Sequence, residues 1–89
     1  MTGFLGQVPD EVQSLAGDFR AKADEIESII SDITTRFQGT TWRGDDRESF
    51  EASWSGEMTN TLTQLAAALR DAGTVADKNA EQQITASSA

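Results

Sequence analysis

The sequence has no cysteine, no histidine and no tyrosine, and its single proline is Pro9. Without cysteine there are no disulfides and no thiolate chemistry; without histidine the commonest general base and the imidazole metal ligand are missing. Cations are scarce too: seven Lys and Arg stand against 15 Asp and Glu, a net charge of −8. Phosphate backbones and anionic lipid surfaces are held by basic patches, so this balance argues against nucleic acid and lipid headgroups as partners. No apolar run approaches the roughly 18–20 residues of a membrane span, so no stable membrane insertion is expected. Residues Met1 to Gln7 lack the basic segment and long apolar stretch of a signal peptide. By the ordinary route the chain would remain in the cytoplasm. A chain of 89 residues makes one small domain, and domains this small are usually stapled by disulfides, a metal or a partner chain. A partner chain is the staple left.

What the sequence does contain is helical periodicity. Val8-Pro9-Asp10-Glu11 reads as a helix start, with proline at a first helical position and acids at the positive end of the dipole. Val12, Leu15, Phe19, Ala23, Ile26, Ile30, Ile33 and Phe37 then recur at steps of three and four. This spacing predicts a helix over about 9–38 whose apolar side chains share an arc of about 80°. Asp18 with Lys22, and Asp32 with Arg36, stand at the i,i+4 spacing of favourable ion pairs. Residues 39–44 form a turn. Gly39 is expected to end the first helix in the left-handed conformation, Gly44 to adopt an unusual backbone angle, and Asp45 or Asp46 to cap the next helix.

The second helix is expected over about 45–80, carrying Phe50, Trp54, Met58, Leu62, Leu65, Leu69, Ala72, Ala76 and Ala80, with Phe50 at the margin of the stripe. Residues 81–89 read as a frayed, mobile tail, so the whole chain 1–89 is one helical-hairpin domain. A short connection makes the two helices antiparallel neighbours. Placing residues whose numbers sum to about 83–84 at one level gives an apolar pair at each level. The fold class is therefore all-α, an antiparallel helix-turn-helix hairpin. Two helices leave one edge of such a stripe wet, so the hairpin is expected to dimerise into a four-helix bundle. The packing and dimer interface would comprise Val12, Leu15, Phe19, Ile26, Ile30, Ile33, Phe37, Phe50, Trp54, Met58, Leu62, Leu65 and Leu69.

No catalytic or metal constellation competes with this reading. Asp45, Asp46, Glu48 and Glu51 are the densest acids, but they lack the alternation and central glycine of a calcium loop and suit the start of a helix. Paired carboxylates need a cleft to raise one pKa, and a two-helix hairpin offers none. No serine has a histidine, and Lys22 and Lys78 lie in polar runs. The chain is read as no enzyme, with no cofactor. Arg43-Gly44-Asp45 spells a tripeptide that integrins read, yet an Asp turned inward to cap a helix makes the match a chance one. Trp54 and Met58 sit at helical spacing and are read as core rather than as a ligand groove. Trp42 plugs the open end of the core and can also be read from outside.

Trp42-Arg43-Gly44, a Trp-X-Gly turn at mid-chain between two matched helices, with Phe50 and Trp54 on the first turns of the second, resembles the WXG family of small Esx (early secreted antigen type) proteins. The resemblance covers essentially the whole chain. It implies a hairpin that pairs into a four-helix bundle and leaves the cell folded, without a cleavable signal, through a type VII secretion system driven by a membrane-embedded ATPase. It implies Trp42 and Gly44 as the turn motif presented for recognition. The partners it implies are another WXG-family chain and the secretion ATPase, and the destination is the cell envelope or the exterior. The family's export signal is Tyr-x-x-x-Asp/Glu after the second helix; here Ala76 stands where the Tyr would be, with Ala80 and Glu81 near the acidic position. Either a partner supplies the Tyr, or the chain is exported by other contacts, or it is not exported; a heterodimer with another WXG-family chain is favoured, with a homodimer also possible. The alternative is a cytoplasmic adaptor or chaperone hairpin covering an apolar helical region of a larger secreted effector.

Overall fold

The structure, a computed structural model, describes residues 8–88 and the side chains of 8–86. The reading of Met1–Gln7 as no signal peptide falls on residues outside that range. α1 runs Pro9–Gly39, α2 Asp45–Ser53, a π-helical segment Trp54–Met58, and α3 Thr59–Ser88. The backbone stays right-handed helical through Ser53, Trp54 and Thr59, so α2, the π segment and α3 form one rod antiparallel to α1. The described residues are thus an all-α hairpin, 66 × 18 × 15 Å in extent. Its radius of gyration of 19.7 Å far exceeds the roughly 12 Å of a compact chain this long.

Several local expectations are corrected. α3 continues to Ser88 rather than fraying after Ala80. Glu81 to Ala86 keep the helical backbone because no glycine or proline interrupts them. Gly39 is the last residue of α1 and does not turn left-handed. The helix ends at Thr40, whose extended backbone places its N–H on the Phe37 carbonyl at 3.2 Å and whose hydroxyl donates to the Arg36 carbonyl at 2.6 Å. α2 is capped by Gly44, not by an Asp side chain: the Gly44 carbonyl accepts from the Glu48 N–H at 3.2 Å, and Asp45 and Asp46 lie in the first turn. Gly44 has φ 109° and ψ −175°, a conformation essentially reserved for glycine. Lys22 pairs with Glu25 at 2.9 Å rather than with Asp18, and no ion pair joins Asp32 to Arg36 among the described residues.

The inner seam of the hairpin is made of small residues. Ala16, Ala23, Ala66 and Ala80 are fully or almost fully buried, and Gly73 is buried with them. Ala16 and Ala23 are seven residues apart, as are Ala66, Gly73 and Ala80, the repeat that keeps one seam facing a neighbouring helix. At Gly73 an added Cβ would stand 3.0 Å from the Ala16 carbonyl oxygen, so the backbones approach closely there.

The register differs from the sequence expectation. Phe37 meets Phe50, Thr34 meets Trp54 and Ala16 meets Gly73, pairs whose numbers sum to 87–89 instead of 83–84. The extended corner carries the chain beyond the end of α1 before α2 begins, and the π segment takes up a further residue. That segment also sets rotation. One residue inserted into an α-helix turns everything upstream by about 100°. On an unbroken α-helix Phe50 and Trp54 would point well away from the direction of Ala66 and Gly73; the π turn brings both back against α1. Ser55 and Gly56, weak helix formers, lie at its centre.

Candidate functional site: one open apolar face and an aromatic corner

The two long edges of the hairpin are unlike. Along one edge, charges lace α1 to α3. Arg70 forks onto Glu27 with bonds of 2.9 and 2.7 Å and also reaches Asp24 at 2.7 Å, and Arg20 bonds Asp77. The hydrogen bonds from Arg70 hold the Glu27 carboxyl below its ordinary range and raise the Arg70 guanidinium above its own. A forked guanidinium–carboxylate pair fixes geometry as well as adding attraction. These groups are exposed or, at Arg70 and Asp77, half-buried and in reach of solvent, so they set register and edge more than they add stability.

Along the other edge large apolar side chains stand exposed or half-buried. Leu15, Ile29, Ile33, Met58 and Leu65 are exposed, with Leu15 at 48% and Leu65 at 49%. Val12, Phe19, Ile26, Ile30, Phe37, Phe50, Trp54, Leu62 and Leu69 are half-buried. Among the described residues no large apolar side chain is fully buried. Of the thirteen residues expected to form the packing interface, the hairpin alone therefore closes over none. The chain exposes 6282 Å², against roughly 5,100 Å² for a compact 9.6 kDa monomer. On this face lies a groove of about 450 Å³ lined by Ser53, Trp54, Glu57, Met58, Thr61 and Leu62.

At the corner three rings close the end of the hairpin. Phe37 and Trp42 meet edge to face at 5.9 Å, Phe37 and Phe50 at 5.3 Å, and Trp42 and Phe50 at 5.6 Å. The Arg47 guanidinium sits 4.9 Å over Phe37. Trp42 both packs on its neighbours and stays 37% exposed. Trp54 donates from Nε1 to the Thr34 hydroxyl at 2.9 Å, tying the first turns of the rod to α1. Gly44 sets the angle at which α2 leaves this cluster.

The residues expected at the export signal are placed unevenly. Ala80 is fully buried on the seam, Ala76 is half-buried and Glu81 is exposed. An acid at position 80 would therefore be buried, and Glu81 is the surface carboxylate of the three; the residue four before it is Asp77, which Arg20 holds. Sequence reasoning missed Ala16, Ala66 and Gly73, and the edge built by Arg20, Asp24, Glu27, Arg70 and Asp77. The seven-residue repeat of small residues was the available signal for the first group. The second had none, because the ion pairs depend on the register.

An acidic helical hairpin with an aromatic Trp-X-Gly corner, an inner seam of alanines and one open apolar face defines a class of small helical-hairpin proteins. A family model described as WXG100, proteins of 100 residues with WXG, matches residues 8–83, and the chain belongs to that family. Its members are small proteins associated with secretion. No curated protein and no solved structure matches the chain. Among the described residues no helix is long and apolar enough to cross a membrane.

Proposed function

We propose that this chain is a non-enzymatic Esx-type protein. It pairs through its open face with a second WXG-family hairpin to form a four-helix bundle, and the pair is a substrate or substrate-partner of a type VII secretion system. The single observation that carries this is the division of apolar residues: the hairpin's own core is alanine, while its large side chains stand along one face. Water contact at such a face is costly, at about 25 cal/mol per Å², and a second hairpin is the occupant whose shape fits a two-helix layer. A different chain is favoured over a second copy, because two copies would bring twice the net charge of −8 into one assembly. The Trp42–Gly44 corner and the helix around Glu81 are the surfaces offered to the export ATPase. The final location is the envelope or exterior, after a cytoplasmic stage and without signal cleavage.

The absent tyrosine supports a second reading, an adaptor that covers a helical stretch of a larger effector and stays in the cell. Export separates the two. The protein is followed in culture medium with and without a functional secretion ATPase, alongside Asp77→Tyr, which sets the aromatic four residues before Glu81. ATPase-dependent appearance of the wild type supports the first reading. Retention of the wild type together with a long effector on co-purification supports the second. Export of Asp77→Tyr without a partner, when the wild type needs one, identifies the partner as the source of the tyrosine.

A further inference from the structure

The outer margin of the open face on α1 carries an acid every seventh residue: Glu11, Asp18, Glu25 and Asp32. All four are exposed. On the α1 wheel they lie just beyond Leu15 and Ile29, about 160° from the Ala16–Ala23 seam. Arg20, Asp24 and Glu27 hold the matching position beside the closed seam, where ion pairs to α3 lace the edge. The edge of the open face thus has half of such a lacing. Two cations stand near it, Lys22, which pairs with Glu25, and Arg36. The corresponding margin of α3, Thr61, Ala68, Val75 and Gln82, is uncharged.

Side-chain size along the π segment and α3 selects how a second hairpin stacks. Met58, Leu62, Leu65 and Leu69 fill the half near the corner, and Ala72 and Ala76 the other half. Antiparallel stacking sets bulky halves against small ones. In that arrangement α1 faces the α1 of its partner, and two copies of this chain would set the acidic row against itself across the margin. Flanking charges of this kind set partner choice in helical bundles.

We propose that the open face of this chain is built for a hairpin whose first helix carries Lys or Arg at seven-residue intervals along the margin, and that the acidic row Glu11, Asp18, Glu25 and Asp32 selects that partner against a second copy. This rests on the four-helix reading above and adds the chemistry of the partner.

The chain itself supplies the probe. In Asp18→Lys/Glu25→Lys/Asp32→Lys the row is reversed and Glu11 is kept to stabilise the helix start. Sedimentation at 50 mM NaCl should show the wild type binding this variant at least about tenfold more tightly than it binds itself, an advantage that shrinks at 500 mM as screening shortens to a few ångströms. A control with the same charge change elsewhere, Glu51→Lys/Asp71→Lys/Glu81→Lys, should show less than half of that gain. In case the lysine row loosens the helix, Asp18→Asn/Glu25→Gln/Asp32→Asn should self-associate several-fold more tightly than the wild type at low salt. Equal affinities in all pairings, or equal gains from row and control, overturn the proposal while leaving the four-helix reading intact. Helical monomers in every mixture at both salt concentrations overturn the two together.

Discussion

Gly73 and Gly17 are both glycines inside helices, and they should respond in opposite ways to a methyl group. At Gly17 an added Cβ meets nothing within 4 Å, whereas at Gly73 it meets the Ala16 carbonyl oxygen at 3.0 Å. Gly17→Ala should raise thermal stability by up to about 1 kcal/mol, the helix-propensity gain alone. Gly73→Ala gains the same propensity but forces the helices apart, and overpacking costs about 1–3 kcal/mol. Thermal melts of the two variants followed by circular dichroism should therefore shift in opposite directions. At the corner, Gly44→Ala must hold a side chain at φ 109°, which should lower stability by about 1–3 kcal/mol. The turn glycine was readable from the Trp-X-Gly spacing. The close approach at Gly73 was not, because it depends on which face of α3 meets α1, and the larger apolar residues lie on the neighbouring face.

The elements show where sequence periodicity reaches and where it stops. The boundaries of α1 and the start of α2 were legible from Pro9, Gly39 and Gly44, and the apolar stripes fixed a hairpin. The large residues of the stripes stay half-buried or exposed, and the fully buried contact between the helices is the alanine seam beside them. The π segment is also invisible to a count at 100° per residue, although Phe50 falling at the stripe margin was its trace. Deleting Gly56 should convert Trp54–Met58 to an α-helix and turn α2 by about 100° relative to α3. Trp54 would then lose Thr34 and Phe50 would lose Phe37, contacts made at 2.9 and 5.3 Å. The deletion should leave helix content nearly unchanged while removing the near-ultraviolet circular dichroism of the packed tryptophans. The charged edge adds a pH response. Arg70 lowers the Glu27 pKa in the folded hairpin, so its contribution is complete above the carboxyl's ordinary value and is lost as pH falls through the lowered one. Stability of Arg70→Gln should accordingly depend less on pH between about 5 and 2 than that of the wild type, as read by urea titrations across that range.

At the scale of the whole molecule, the proposed pairing makes a 66 Å rod with an alanine core one half of an assembly. The sequence predicts a partner, through the absence of cysteine and histidine and the width of the apolar stripes. It did not show that one edge is closed by ion pairs and that only the other is open. Leu65 is the cleanest position at which to ask, since its side chain is 49% exposed and its substitution leaves the seam intact. The most direct measurement is sedimentation equilibrium of residues 1–89 at 0.5 M NaCl, where repulsion between the acidic margins is screened, with circular dichroism on the same samples. The account predicts association to twice the 9.6 kDa chain mass at tens of micromolar, and its loss in Leu65→Asp, which places a charge in a desolvated contact. A fully helical wild-type monomer at 100 µM, with Leu65→Asp indistinguishable from it, would contradict the account.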